Sequence, residues 1–206
     1  PAANITAAEW NFTVGSGAGL FEKLRRMPVK LGDVAERMAQ GIRTSANEIY
    51  VLDTVSEKDD VIIAHSQQLD CDFELERPAT SLFLQGREIK PYRIMPSGKV
   101  VIIPYRQESG HVTLIPEKEF KEKFPRTFSY LLKNKKHLEE RERGIMRGPQ
   151  WYAYSRNQAL DVMPLPKILV PDIADRASFA LDEDGEYAFT SGYGITLKTT
   201  AAESHN

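Results

Sequence analysis

The chain has one cysteine, Cys71, among its 206 residues, so no internal disulfide can form and a thiolate metal site is disfavoured. No basic residue adjoins Cys71, which leads us to expect a buried, inert thiol. Histidine is also scarce. His65, His111, His137 and His205 lie far apart, with no i, i+4 pair and no zinc-type spacing. There is no Gly-x-Ser-x-Gly elbow, no Walker loop and no strand ahead of Gly15, Gly17 and Gly19 to make a dinucleotide turn. No run approaches the roughly 20 apolar residues of a membrane span, and no basic-then-apolar leader opens the chain. A membrane partner is therefore not expected, and the cytoplasm is the expected compartment. Net charge is small as well, -2, which argues weakly against a nucleic-acid partner until its distribution is considered.

The charge that is present comes in blocks. Glu57, Asp59, Asp60, Asp70, Asp72 and Glu74 make the stretch 48–76 acidic, and 172–186 is acidic again. Arg87, Lys90, Arg93, Lys99 and Arg106 fall in one short span whose only acid is Glu88, and Lys118 to Arg147 holds about twice as many bases as acids. A molecule with one basic and one acidic face fits this pattern. Hydrophobic residues make up 41% of the chain, enough for a core of one large or two small domains. The Pro-Ala-Ala-Asn start without an initiator Met suggests an excised fragment.

Residues 1–19, with Trp10, Phe12 and a Gly-Ser-Gly-Ala-Gly stretch, read as a lead-in linker, and Phe21 to Arg26 as a helical turn or two cut by Pro28. Val34, Ala35 and Met38 recur at helical spacing, so a short helix is expected from Leu31 to a left-handed Gly41. A polar turn, Arg43, Thr44, Ser45 and Asn47, should then lead into a strand at Glu48 to Leu52. That turn is either an ordinary surface bend or a platform for an external polar partner.

Val61 to His65 should pair with the preceding strand, and Thr80 to Leu84 is a short strand or helical turn. Met-Pro-Ser-Gly-Lys marks a turn before a strand from Lys99 to Tyr105. His111 to Ile115 is another strand. Pro116 opens a helix in two parts around Pro125, with Phe120, Phe124, Phe128, Leu131, Leu132 and Leu138 near a 3.6 spacing. The stretch 147–156 is irregular and aromatic, and 166–171 encloses a short buried strand. Ser178 to Leu181 and Tyr187 to Phe189 look like a hairpin, and the tail from Thr199 looks frayed. Irregular interleaving of strands and helices favours an α+β fold with a mixed sheet over a doubly wound one.

Bases, aromatics and amides interleave in the loops. Arg87, Lys90, Tyr92 and Arg93 form one such group, Tyr105 and Arg106 a second, and Arg147, Gln150, Trp151, Tyr152, Tyr154, Arg156 and Asn157 a third. Cations neutralise phosphates, Arg bonds guanine bidentately, amides read adenine and aromatics stack or wedge. The bland alternatives are aromatics packed in a core and lysines on a solvated helix face.

With those residues in view, the chain resembles the TaqI-like C-terminal specificity domain, the target recognition domain of adenine-N6 DNA methyltransferases and type IIG restriction-modification enzymes. The matching blocks are Glu9-Trp10-Asn11-Phe12, Leu31-Gly32-Asp33 through Gly41-Ile42-Arg43-Thr44 with Asn47, and Gly86-Arg87-Glu88-Ile89-Lys90 with Tyr92. They continue with Ile102-Ile103-Pro104-Tyr105, Tyr130-Leu131, Leu138 and Arg141, then Trp151-Tyr152. Last come Pro166-Lys167-Ile168-Leu169-Val170-Pro171, Phe179, Asp182, Gly185 and Tyr187. The family usually carries Gly at the position of Ser45 and Asp at that of Glu88.

The resemblance implies a domain over 20–198, a tail over 199–206, and double-stranded DNA as the partner. It also implies a methyltransferase domain, with or without a nuclease, N-terminal in the same polypeptide. The catalytic Asn-Pro-Pro-Tyr and the Gly-rich S-adenosylmethionine loop are not in this sequence. The cofactor S-adenosylmethionine is thus expected for that other domain, and no catalytic or metal-binding residue is assigned here. Such an enzyme extrudes its target base while a separate domain fixes register and sequence. Lys90, Lys99, Lys133, Lys135 and Lys136 are the phosphate candidates. Arg43, Thr44, Ser45, Arg87, Tyr92, Arg93, Arg106, Arg147, Trp151, Tyr152 and Arg156 complete the candidate DNA-binding set. Three rival readings stand beside this one: half of a type I specificity subunit, a protein-interaction or structural module whose acidic face docks onto another subunit, and an independent hydrolase.

Overall fold

The order of elements follows where the chain can bury apolar side chains while pairing its backbone groups. A computed structural model describes residues 16–108 and 110–198. The Glu9-Trp10-Asn11-Phe12 block, most of the expected linker and the tail from Thr199 lie outside the described residues.

The chain opens with α1 (Ser16–Arg25) and a single turn, α2 (Leu31–Val34), then β1 (Ala35–Gln40), the turn α3 (Asn47–Tyr50), β2 (Val51–Lys58), β3 (Val61–Ser66), β4 (Cys71–Glu76) and β5 (Thr80–Gln85). A small hairpin follows, β6 (Ile89–Lys90) and β7 (Arg93–Ile94), then β8 (Lys99–Ile102), β9 (Tyr105–Glu108) and β10 (His111–Leu114). Three helices come next, α4 (Glu117–Lys123), α5 (Pro125–Lys133) and α6 (Lys135–Gly144), the last leaving helical backbone geometry at Arg141. The last strands are β11 (Lys167–Pro171), β12 (Ala180–Asp182), β13 (Tyr187–Thr190) and β14 (Gly192–Leu197).

Two sheets organise these elements into an α+β fold. The larger has the order β13-β5-β8-β2-β3-β4, with β13 parallel to β5 and the other pairs antiparallel. The smaller is antiparallel, β1-β14-β11-β12. Helix α5 packs on β4, and Glu76 of that strand accepts hydrogen bonds from the N–H groups of Arg126 and Thr127, capping the first turn of α5. The core includes Ile49, Leu52, Phe83, Val100, Val101, Phe120, Leu131, Trp151 and Phe189, all fully buried. In the smaller sheet a buried ion pair, Lys167 Nζ to Asp182 Oδ2 at 2.5 Å, ties β11 to β12. Burial pulls the Lys167 ammonium below its ordinary value, against the opposing pull of Asp182.

Several sequence expectations are corrected. The helix expected from Leu31 to Gly41 stops at Val34, because pairing with β14 takes residues 35–40 into an extended edge strand and outweighs their helical spacing. Gly41 is needed for close approach rather than a left-handed turn. A Cβ there would lie 2.7 Å from the Phe189 carbonyl oxygen. The strand expected at 48 begins at Val51, after α3, and runs on to Lys58. The strand expected from Lys99 to Tyr105 divides at Pro104, which has no N–H for the ladder. Asn134 divides the second helical part again. Residues 178–189 form no hairpin, since β12 joins the smaller sheet and β13 the larger. Cys71 is exposed, not buried, because it opens the edge strand β4.

Candidate nucleic-acid interface

The chain turns a corner between the two sheets at Ser191, which holds a φ of 55° between β13 and β14. Two loops are rooted on that corner. Gly41 and Ile42 donate backbone hydrogen bonds to the carbonyls of Gly192 and Phe189 and so anchor the Arg43 turn. Gly86 packs so tightly that a Cβ would sit 2.2 Å from the Ser191 oxygen, and the β6–β7 hairpin starts there. One rigid corner thus carries two groups of candidate residues that are far apart in sequence.

The hairpin presents Arg87, Lys90, Tyr92 and Arg93, all exposed, and none of its three cations has a carboxylate partner among the described residues. Glu88, the only acid in it, is buried, with Oε2 accepting from the Gln85 N–H. Acidic β4 lies four strand positions from β5 in the larger sheet, about 19 Å at ordinary strand spacing. That separation keeps the acidic strand edge away from the basic hairpin, whereas the second acidic stretch, 172–186, adjoins it: the Tyr92 N–H donates to the Phe179 carbonyl and the Asp172 N–H to the Ser191 carbonyl.

Around the Arg43 turn the loops at 43–47, 141–148 and 155–158 converge. Arg43 and Arg156 form an isolated backbone bridge, and Arg156 donates its N–H to the Arg43 carbonyl. Ser45 Oγ lies 2.7 Å from both Glu142 Oε1 and Ser155 Oγ. Arg37, Arg43, Arg156 and Gln158 line a cleft of about 260 Å³ beside β1. Arg37 is paired with Asp161, while Arg43, Arg147 and Arg156 are exposed and have no carboxylate partner among the described residues.

Arg141 holds this region together. Its guanidinium is buried and donates to the carbonyls of Leu138, Thr44, Trp151 and Ala153 at 2.6–2.9 Å, above the ring of Tyr50. Immediately after it, Glu142, Arg143 and Gly144 all adopt positive φ, of 49°, 61° and 85°. Two consecutive non-glycine residues in that region store strain that the surrounding bonds must offset.

Other members of the sequence-derived set are used internally. Thr44, Trp151 and Tyr152 are fully buried and present no surface for a base, which corrects their placement as contact residues. Thr44 Oγ1 accepts the Ala46 N–H, and Tyr152 donates its hydroxyl to the Ile115 carbonyl. Tyr50, Tyr130 and Tyr154 likewise donate to main-chain carbonyls. Burial raises all these phenols, Tyr130 and Tyr152 to about 12. The aromatic run 151–154 is therefore a set of pins holding a loop to the core. Among the cations, Lys99 is paired with Asp53, Arg106 with Glu119, and Lys135 lies 3.9 Å from Glu139. Lys133 rests over the Phe73 ring, and Lys136 is exposed with no ion-pair partner among the described residues.

No protein-family model matches the chain. The chain is similar to a type II restriction enzyme and methyltransferase of Escherichia coli, RM.Eco57I, at 26% identity over 179 residues, which cover 81% of the chain and 18% of that protein. It is also similar to a type II methyltransferase of Geobacillus stearothermophilus, M.BstVI, at 24% identity over 171 residues, 82% of the chain and 26% of that protein. The chain thus spans only about a fifth and about a quarter of the lengths of these two proteins.

Proposed function

We propose that the chain is a target recognition domain that reads double-stranded DNA sequence for an adenine-N6 DNA methyltransferase or a type IIG restriction-modification enzyme. The observation that carries the reading is the corner at Ser191, from which two loops project cations with no acidic partner among the described residues. Its similarity over four fifths of its length to portions of two restriction-modification proteins supports the same reading. The catalytic domain, with its S-adenosylmethionine, belongs to another part of the polypeptide in this account. The chain itself is non-catalytic.

In this reading Arg87, Lys90 and Lys136 neutralise phosphates and set register, while Lys133, over the Phe73 ring on β4, sits at the acidic edge away from the hairpin. Arg43, Arg93, Arg147 and Arg156 reach base edges, where a bidentate Arg discriminates guanine. Lys99 and Arg106, already neutralised by carboxylates, contribute less than their sequence positions suggest. About three phosphate contacts predict a roughly 40-fold loss of duplex affinity between 50 and 200 mM salt. Fluorescence anisotropy of labelled duplex with the full-length protein tests this. Binding that is absent, or unchanged by salt, contradicts the reading.

A second reading, compatible with the first, is favoured by the outer face of the smaller sheet. Met38, Ile195, Ile168 and Leu181 stand opposite one another across its four strands; Met38 and Leu181, on the outer strands, are 57% and 59% exposed, whereas Ile195 between them is buried. Tyr193 and Leu197 extend the same face. This face suits docking onto the methyltransferase domain of the same polypeptide. Asp at Met38 and Leu181 should then weaken the contact between separately expressed halves, leaving the melting temperature of this half unchanged. Unimpaired association would count against it.

A further inference from the structure

Tyr92 is 95% exposed at the tip of the β6–β7 hairpin. Exposed tyrosines are ordinary, but its backbone is not. Lys90 pairs with Arg93, so Pro91 and Tyr92 are the two central residues of the turn, and Tyr92 has a φ of 62°. Proline at the first central position and positive φ at the second are the demands of a type II turn, where glycine or asparagine normally takes the second place. A bulky aromatic there is strained, and its ring, almost wholly in solvent, gains no packing that offsets the strain.

The backbone holds the residue in place nevertheless. The Tyr92 N–H donates to the Phe179 carbonyl at 2.7 Å, and the Met95 N–H donates to Glu88 at the base of the hairpin. Pro91 removes one further rotatable torsion. Phe179, adjoining Tyr92 through that bond, is itself 46% exposed. The result is a pre-set aromatic tip with Arg87, Lys90 and Arg93 close behind it on the same hairpin.

We propose that Tyr92 is a wedge that inserts into the base stack of bound duplex DNA, with the hairpin cations holding the flanking phosphates. The inference rests on the DNA-recognition reading above and gives the hairpin a specific task within it. A wedge needs an aromatic face that is exposed before binding, rigid enough to insert with little ordering cost, and flanked by positive charge. Strain retained at an exposed tip is what a residue kept for its ligand, not for its fold, would show.

The test uses the full-length protein and a pool of short duplexes randomised at the centre. Anisotropy measures affinity, and permanganate reactivity of thymines measures unstacking. Tyr92→Ala should weaken binding by roughly 5- to 150-fold, the range found when a stacking aromatic is removed, and abolish the permanganate signal. Tyr92→Phe should retain both. Tyr92→Gly should melt no lower than the parent protein, because it relieves the turn, yet bind as poorly as Tyr92→Ala. If the parent protein binds duplex with the expected salt dependence but Tyr92→Ala binds equally well or leaves thymine reactivity intact, the wedge is wrong and the DNA reading stands. If Tyr92→Gly lowers the melting temperature along with binding, the residue is structural and the wedge is again wrong. If the parent protein does not bind duplex, both fall together.

Discussion

Replacing Arg141 by alanine should be among the most damaging single changes in the chain, and its cost can be worked from the bonds it makes. The guanidinium is buried, and four main-chain carbonyls, on Leu138, Thr44, Trp151 and Ala153, accept from it. A hydrogen bond to a charged group is worth about 1.5–3 kcal/mol. Four bonds sharing one cation do not add, but each buried carbonyl left without a donor costs about 1–3 kcal/mol, so a total of about 3–5 kcal/mol is expected. At about 2–4 °C per kcal/mol for a chain of this size, the melting temperature should fall by roughly 6–20 °C.

Arg141→Lys retains the charge but has three donors and no planar fork, so its loss should be about half as large. Arg141→Met retains bulk while leaving the carbonyls unpartnered and should fall nearer to alanine. Urea denaturation followed by tryptophan fluorescence is a suitable assay, because fully buried Trp151 is one of the residues Arg141 holds. A loss below about 1 kcal/mol for Arg141→Ala would refute the idea that this guanidinium ties the three loops together.

Three further outcomes are expected. Gly86→Ala must push a Cβ against the Ser191 carbonyl and should cost about 1–3 kcal/mol, whereas Gly32→Ala, with nothing within 4 Å, should cost little; equal unfolding midpoints would contradict the tight corner. Burial raises the Asp53 carboxyl, but hydrogen bonds from Lys99 and Gln67 and the Lys99 charge outweigh it and hold the group below its ordinary value. A carboxyl lowered by folding stabilises above its unfolded value near pH 4 and loses that contribution as pH falls through the folded one. The gap in urea midpoint between the parent protein and Asp53→Asn should therefore be present at neutral pH and close below about pH 4. A gap that persists in acid would contradict the assignment. Finally, Lys90→Ala should lower the salt slope of duplex binding by about 0.9, while Lys99→Ala, whose ammonium is occupied by Asp53, should leave it nearly unchanged; equal slopes would show that the ion pair does not withhold Lys99.

Local chemistry made much of the fold legible. Pro125 and the near-3.6 spacing of Phe120, Phe128, Leu131 and Leu138 located the helices, and the turn ahead of Lys99 located β8. What the sequence could not convey was decided by partners distant in the chain. Residues 35–40 have helical spacing and become a strand because β14 offers them a ladder. Residues 178–189 carry the signal of a hairpin, and their two strands find partners in different sheets.

The candidate site was half legible for the same reason. Arg87, Lys90, Tyr92 and Arg93 lie on or just before a short hairpin closed by the two-residue turn Pro91-Tyr92, whose chemistry is local, and they are exposed. Trp151 and Tyr152 have the same basic-aromatic signature in sequence but pack inward. The sign that could have separated them was Arg141, which recurs three residues after Leu138 on the apolar face of α6, where a cation must be bonded to be tolerated.

The measurement that tests the central claim most directly is selection from a randomised duplex pool by the full-length protein at low and moderate salt, followed by sequencing of the retained DNA. Enrichment of one short sequence, weakening with salt, is expected, and it should be lost when Arg43, Arg93, Arg147 and Arg156 are replaced together by alanine in a protein that still folds. Retained DNA with no enriched sequence, or the same enriched sequence after those replacements, would contradict it.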